Sequence, residues 1–440
     1  MNFRIMPEQI EWSKYFNFDQ RKKKELLKSV GAKKIYAMAL MPIRGPHGFR
    51  KLDYKFAEKK LEVNEIMNRL EDCHFNVFGL VIKDTDGACV WDTEIGWNPT
   101  NRDILGEFCD AGKERNIQIM VAFTSMNDAY QGYLHPERVS IHGRNGKKLG
   151  KKYKKGDIST HNAYEMRVDL PEGVVFEDYQ KKIPFLTSEI DLKIGKSRDS
   201  RGSGYIPTES FMCPNSNHID YLIGLTREVV KDYPIKAFTA DYIRYDGQFT
   251  DLCACSRCVS KFKELYGHKS KLLKGKEWYE FKTDTIASYA QKLQKTVKNI
   301  DNTCLTGWYS QVGPKNLVTI KRHGQDWTKL SSILDISIPM EYPYLAGTRD
   351  DGFFWGKVGD FFFWYFLSNM KKRAHEYKGP VLAVTNSVEC NVKEMLKQMR
   401  NFDFGLGIAL FKYFGTTEDQ WRALKEYAEN EIGLENLIFN

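Results

Sequence analysis

The sequence predicts an α/β fold, a (β/α)8 TIM barrel with a large insertion after strand three. Three observations carry that prediction. Short, nearly uninterrupted apolar runs recur along the chain, each is followed by a segment of helical periodicity, and eight such units fit within 440 residues. Alternating strands and helices imply a parallel sheet, and strands covered on both faces read as continuous apolar runs. Eight regular units favour closure over an open doubly wound sheet. No GxGxxG follows the first strand to suggest a dinucleotide site. A barrel of this kind takes about 250 residues, so the chain holds one barrel with elaborations.

The units are read in order. Residues 1–34 form an N-terminal extension, and the barrel runs over 35–430. Strand one is Ile35 to Met41, followed by a helix from Lys55 to Leu70. Strand two is Phe75 to Ile82, with a helix from about Asn101 to Glu114, and strand three is Ile117 to Phe123. The rhythm then breaks. Residues 124–214 are rich in Lys, Gly, Ser and His, and a stretch this long inside a domain is usually functional or structured by itself. It is expected to fold over the barrel mouth. The rhythm resumes with a helix from Ser216 to Lys231 and strand four, Ile235 to Ala240. Strands five to eight are Cys304 to Trp308, Ile333 to Met340, Val381 to Thr385 and Gly407 to Phe411. Helices are expected over Val259–Tyr266, Trp278–Val297, Phe361–Glu376 and Lys393–Asn401. A last helix starts near Thr417, where Thr417 and Glu418 suit a capped first turn.

Composition bounds the partners. Hydrophobic residues are 42% and charged residues 28% of the chain, ordinary for a globular protein able to bury a core without staples. The net charge of +9 is spread over lysine runs such as Lys147 to Lys155 and Lys269 to Lys276. These runs lack the interleaved aromatics of a nucleic-acid groove and read as solvated loops. No run is long and apolar enough for a membrane span or a signal peptide, so no membrane partner is expected and a cytoplasmic location is. Nine cysteines without an export signal point to reduced thiols or a metal site rather than a disulfide framework. The sequence leaves open whether the chain forms a homo-oligomer, and it implies no organic cofactor.

Functional residues of a barrel sit where a strand ends and its loop begins. That rule selects Asp84 and Asp86 after strand two, Asp241, Tyr242 and Arg244 after strand four, and Trp308, Tyr309 and Gln311 after strand five. After strands six to eight it selects Glu341, Tyr342 and Tyr344, then Asn386 and Glu389, then Lys412 and Tyr413. Carboxylates mixed with aromatic rings suit a sugar site. Glycosidic cleavage uses two carboxyl groups, and ring faces accept the apolar face of a pyranose. The expected catalytic pair is Asp241, as nucleophile or charge stabiliser, and Glu341, as general acid/base. Asp84, Tyr242, Arg244, Trp308, Tyr342, Tyr344 and Glu389 are expected to hold substrate, with Glu389 the substitute for Glu341 as second carboxylate. A separate signal is Cys253, Cys255 and Cys258, spaced C-x-C-x-x-C, with Cys213 upstream. Four thiolates would close a structural zinc site.

At Asp241 the sequence also resembles a known family. Cys213-Pro214-Asn215, Tyr221-Leu222 and then Phe238-Thr239-Ala240-Asp241-Tyr242-Ile243-Arg244-Tyr245 resemble the putative glycoside hydrolases called glycosyl hydrolase-like family 10. Leu334 to Tyr342, Gly407 to Phe411 and His135-Pro136-Glu137 are also similar to that family's segments, so the likeness covers roughly residues 35 to 415. It implies a barrel acting on glycans with Asp241 on the catalytic strand. Glu341 replaces an amide common in the family, and Asp246 replaces its proline. The cysteine cluster looks like that of the family 42 beta-galactosidases. The expected function is therefore glycoside hydrolysis on an oligosaccharide or glycoside. The rival readings are a carbohydrate-binding barrel without catalysis and a hydrolase of another class, which would need a nucleophilic elbow that the sequence lacks.

Overall fold

The computed structural model describes residues 11–16, 18–46, 51–141, 165–169, 181, 203–207, 211–246, 252–267, 272–311, 319–343 and 359–437. Eight parallel strands close a barrel. They are β1 (Ile35–Leu40), β2 (Val77–Lys83), β3 (Gln118–Thr124), β4 (Ala237–Asp241), β5 (Leu305–Ser310), β6 (Ile336–Glu341), β7 (Ala383–Asn386) and β8 (Gly407–Phe411). Each pairs with its chain neighbour, and β8 closes onto β1 with Ile35 opposite Gly407. The predicted (β/α)8 barrel is the observed fold, with strand limits shifted by a few residues. The largest shift is at β6, which starts at Ile336 rather than Ile333. There Asp335 is spent as a cap, its carboxylate accepting from the Thr306 amide at 2.9 Å.

Side chains alternate across a strand, so each strand feeds two cores. The inner set fills the lumen with Ile35, Ala37, Val77, Met120, Ala122, Ala237, Leu305, Tyr309, Ile336, Ile338, Val384, Ala409 and Phe411. The outer set, including Tyr36, Phe78, Phe123, Phe238 and Trp308, meets the surrounding helices.

Helices follow the expected rhythm with three main differences, one being the helix Trp327–Ile333, where no helix was expected and strand six was expected to begin. The stretch predicted as one helix from Lys55 to Leu70 is two, Tyr54–Lys59 and Val63–Asp72. The N-terminal segment holds a helix that periodicity did not single out, Gln20–Val30, capped by Asp19 and closed by Gly31 at φ 79°. Its Leu26, Leu27 and Val30 join the lumen core from the amino ends of the strands. Of the 124–214 insertion, the described parts include the helix Ala129–Leu134 and an antiparallel pair, Glu165–Asp169 with Ser203–Pro207. That pair continues onto Lys51–Leu52, in the loop after β1, and so belongs to the carboxyl-end side of the barrel.

Candidate active site

Parity decides which strand-end residues reach the mouth. Ala237 lies in the lumen, so Asp241 shares its face. Asp241 is partly exposed, and its Oδ1 accepts from the Tyr242 amide at 2.6 Å. Burial raises its carboxyl above the ordinary value, against the opposing pull of Arg244 and that amide, while the Asp84 charge raises it further. Tyr242 follows at φ 48°, an uncommon conformation for a non-glycine residue and one that clusters at functional sites. Tyr309 and Tyr342 belong to the lumen side as well. Burial pushes the hydroxyls of both upward, with Asp241 among the further causes.

A bulge aims the second carboxylate. The pairing of β2 with β3 shifts between Val81 and Lys83, the kind of irregularity that re-aims side chains next to sites. Lys83 is left fully buried, paired with Asp128 at 2.8 Å and donating to the Thr124 carbonyl at 3.0 Å. Asp84 is gripped by Arg44, from Nε at 2.6 Å and Nη2 at 2.7 Å. Burial disfavours the Asp84 charge, but Arg44 and the Thr85 amide outweigh it and hold the carboxyl below its usual range. Asp86, two residues on, is pushed up to about 7 by burial and by the Asp84 charge, with the Tyr54 hydroxyl hydrogen-bonded to it.

Cations complete the mouth. The Arg244 guanidinium lies 4.2 Å from the Tyr242 ring centroid, and with the Gln311 amide oriented to suit, the Gln311 oxygen accepts from its Nη2 at 2.9 Å. Lys412, at the end of β8, is lowered to about 8 by burial and by Arg44, while Asp84 and Glu389 pull the other way. Glu389 itself is exposed, on the loop after β7, at φ 58°.

Two expected site residues face elsewhere. Ile336, Ile338 and Met340 line the lumen side of β6, so Glu341 belongs to the opposite face. It is fully buried, neither carboxylate oxygen has a hydrogen-bond partner among the described residues, and burial raises its carboxyl well above the ordinary value. Its charge is felt by Tyr377, which shares a 2.7 Å hydrogen bond with Ser310 in the outer layer. Trp308 likewise packs outward, its Nε1 donating to Ser337 Oγ at 3.0 Å. The sequence expectation that Glu341 and Trp308 point into the mouth is thus corrected by strand alternation. Tyr344 lies outside the described residues. Of the residues that do converge, Arg44 was missed. Its only sequence signal is its place just after β1, in Pro42-Ile43-Arg44. Tyr309, Gln311 and Lys412 stood among the strand ends but were passed over.

The four cysteines do converge. Cys213, Cys253, Cys255 and Cys258 are all buried, with their sulfurs within 4.8 Å of one another. The Cys213 sulfur lies 3.6 Å from that of Cys255 and 3.4 Å from that of Cys258, too far for a disulfide and close to the edge of a tetrahedron with about 2.3 Å metal–sulfur bonds. The Ile141 amide and the Asn215 side chain each donate to a cluster sulfur at 3.3 Å, as donors around thiolates do. The cluster clasps both flanks of β4. Cys213 precedes the helix His218–Asp232 that leads into the strand, and the other three follow it.

Comparison with protein-family models and with curated proteins finds no match. Solved structures do match. Alpha-L-fucosidase isoenzyme 2 from Paenibacillus thiaminolyticus aligns with TM-score 0.52 and 12% identity, over 90% of this chain and 49% of that one. A beta-galactosidase from Bacillus circulans sp. alkalophilus aligns with TM-score 0.56 and 12% identity, over 92% of this chain and 57% of that one. This chain therefore spans about half the length of each, and what the two share with it is the barrel.

Proposed function

We propose that this chain is a glycoside hydrolase whose reaction is centred on Asp241. The observation that carries the reading is Asp241 itself, a lumen-side, solvent-reachable carboxyl raised by burial at the carboxyl end of β4, walled by Tyr242, Tyr309 and Tyr342. A general acid must hold its proton to higher pH than an ordinary carboxyl, and burial shifts Asp241 in that direction. Asp241 therefore protonates the leaving oxygen, and the Tyr242 amide and Arg244 then stabilise the carboxylate it becomes. The partner carboxylate is Glu389 rather than Glu341. Among the described carboxylates near the mouth, Asp84 is clamped by Arg44 and Asp86 is fully buried, whereas Glu389 is exposed on the β7 loop. It would attack the anomeric carbon or activate water. The neighbours' names, a fucosidase and a beta-galactosidase, agree with a glycoside substrate.

The tetrathiolate cluster is assigned to one structural zinc ion. Cys213, Cys253, Cys255 and Cys258 would be its ligands, with no position left for a reacting water. Its work would be to anchor the chain on both sides of β4, the strand that ends in Asp241. Metal analysis of protein purified without added metal should give about one zinc per chain, and near zero with four freely titrating thiols would remove the assignment.

The enzymatic reading is tested on a panel of aryl glycosides and oligosaccharides. The wild type should release sugar from at least one class. Glu389→Gln should lose turnover on activated and natural substrates alike, and wild-type rates in that variant would return the second-carboxylate role to an open search.

A further inference from the structure

The turn that carries Asp241 is gripped from the β3 side. Tyr242 stands at φ 48°, a conformation that persists where its surroundings over-determine it. Two consecutive amides just past β3 supply the grip. The Ser125 amide donates to the Asp241 carbonyl at 2.8 Å, and the Met126 amide donates to the Tyr242 carbonyl at 3.1 Å. The backbone beneath the proposed acid is therefore only as fixed as residues 125 and 126.

That pair of residues is braced in turn. The Met212 amide donates to the Met126 carbonyl at 2.7 Å, and the Tyr289 hydroxyl donates to Ser125 Oγ at 3.2 Å. The third brace is His218, first residue of the helix His218–Asp232, whose Nε2 lies 3.1 Å from the Ser125 carbonyl. A carbonyl only accepts, so Nε2 carries the proton. Burial holds the ring neutral, down at about 4, with Lys83 and Arg138 acting the same way and Asp128 the other. His218 and Ser125 are both fully buried. The other ring nitrogen, Nδ1, has no hydrogen-bond partner among the described residues. Burying an imidazole costs more than burying a leucine, so the contact with Ser125 is what the polar ring contributes here.

The Ser125 carbonyl and the Met126 N–H belong to one planar trans peptide and point opposite ways. His218 holds the oxygen end of that plane, and the nitrogen end holds Tyr242. We propose that His218 is a positioning residue for the chemistry of Asp241, acting through the Ser125–Met126 peptide to keep the Asp241–Tyr242 turn in place. This rests on the glycosidase reading and deepens it. The Tyr242 amide donates to Asp241 Oδ1 at 2.6 Å and so stabilises the carboxylate left after proton transfer. With the brace gone, that amide drifts from the carboxyl. His218 itself touches no substrate.

The experiment compares wild type, His218→Leu and His218→Gln. Glutamine can place an amide N–H where Nε2–H stands, and leucine cannot. Amide hydrogen exchange should show protection at Met126 falling about 10-fold in His218→Leu, with the amides of β7 and β8 unchanged, and recovering in His218→Gln. On a glycoside that the wild type cleaves, His218→Leu should lower kcat by about 10- to 100-fold with KM within about 3-fold. The basic limb of its kcat/KM profile should move up by about one pH unit, since one hydrogen bond to the carboxylate is weakened. His218→Gln should restore both. If His218→Leu does not fold, His218→Asn, polar but too short to reach Ser125, replaces it in every arm. Unchanged protection at Met126, or a loss spread evenly over the barrel, overturns the brace. Local loss at Met126 with unaltered kcat and pH profile overturns the positioning role while the glycosidase reading stands. If the wild type cleaves no glycoside, that reading falls, and a local loss at Met126 recovered by glutamine upholds the brace without it.

Discussion

Asp241 and Glu341 end two strands of one barrel, and both carboxyls are raised above their ordinary values. They nevertheless occupy opposite environments. Asp241 faces the lumen, meets water, accepts from a backbone amide and lies within the field of Arg244. Glu341 faces the helices, is fully buried and, among the described residues, has no hydrogen-bond partner for either oxygen. Raised carboxyl pKa values alone do not mark chemistry. A carboxyl becomes useful when its proton can be exchanged with something in reach, and strand parity settles that.

The largest test of the contrast is kinetic. Asp241→Asn should lower turnover of natural glycans by roughly 10²- to 10⁴-fold, with a smaller loss on aryl glycosides whose leaving group departs unprotonated. Glu341→Gln should leave both within about 3-fold, since nothing routes its proton to the mouth. Initial rates on paired substrates check this, and similar losses in the two variants would dissolve the distinction.

The next test concerns the clamp that separates Asp84 from the reacting group. Arg44→Met should destabilise the fold by about 3–5 kcal/mol in urea titrations, because it strands the buried Asp84 charge. Ion pairs on the surface, such as Arg422 with Asp419, should be worth under about 1 kcal/mol when broken. Comparable small losses would show that Asp84 reaches water.

The smallest test is the pH dependence of stability. The Glu341 carboxyl is raised in the fold, so the native state keeps its proton where the unfolded chain, at its ordinary value of 4.5, has released it. Its contribution is complete below about pH 4.5 and is lost as pH rises toward the folded value, at about 1.4 kcal/mol per unit. Glu341→Gln removes that term. The variant should therefore gain on the wild type as pH rises above about 5 in parallel urea titrations, and identical profiles would mean that Glu341 is solvated or paired.

The same contrast shows what the sequence disclosed. The eight apolar runs were legible because parallel strands covered on both faces must be apolar throughout. That very property hid their parity. In Ile336-Ser337-Ile338-Pro339-Met340-Glu341 the alternation is visible, yet nothing local says whether the isoleucines face the lumen or the helices. The bulge after Val81 was equally hidden, since it exists only in the pairing with β3. Arg44 and Asp84 are 40 residues apart and meet only once β1 and β2 are neighbours. The cysteine cluster was legible because its chemistry is carried by residue type and spacing.

The helix Gln20–Val30 has a consequence for traffic. Its Leu26, Leu27 and Val30 stopper the amino end of the barrel, and the layers above them are filled with side chains. Whatever enters by the mouth must leave by it. Under the proposed glycosidase reading, departing aglycone, incoming water and released sugar would share one doorway, so the order of release would be a queue. The occupant nearest the rim leaves first, and the deepest ring leaves last.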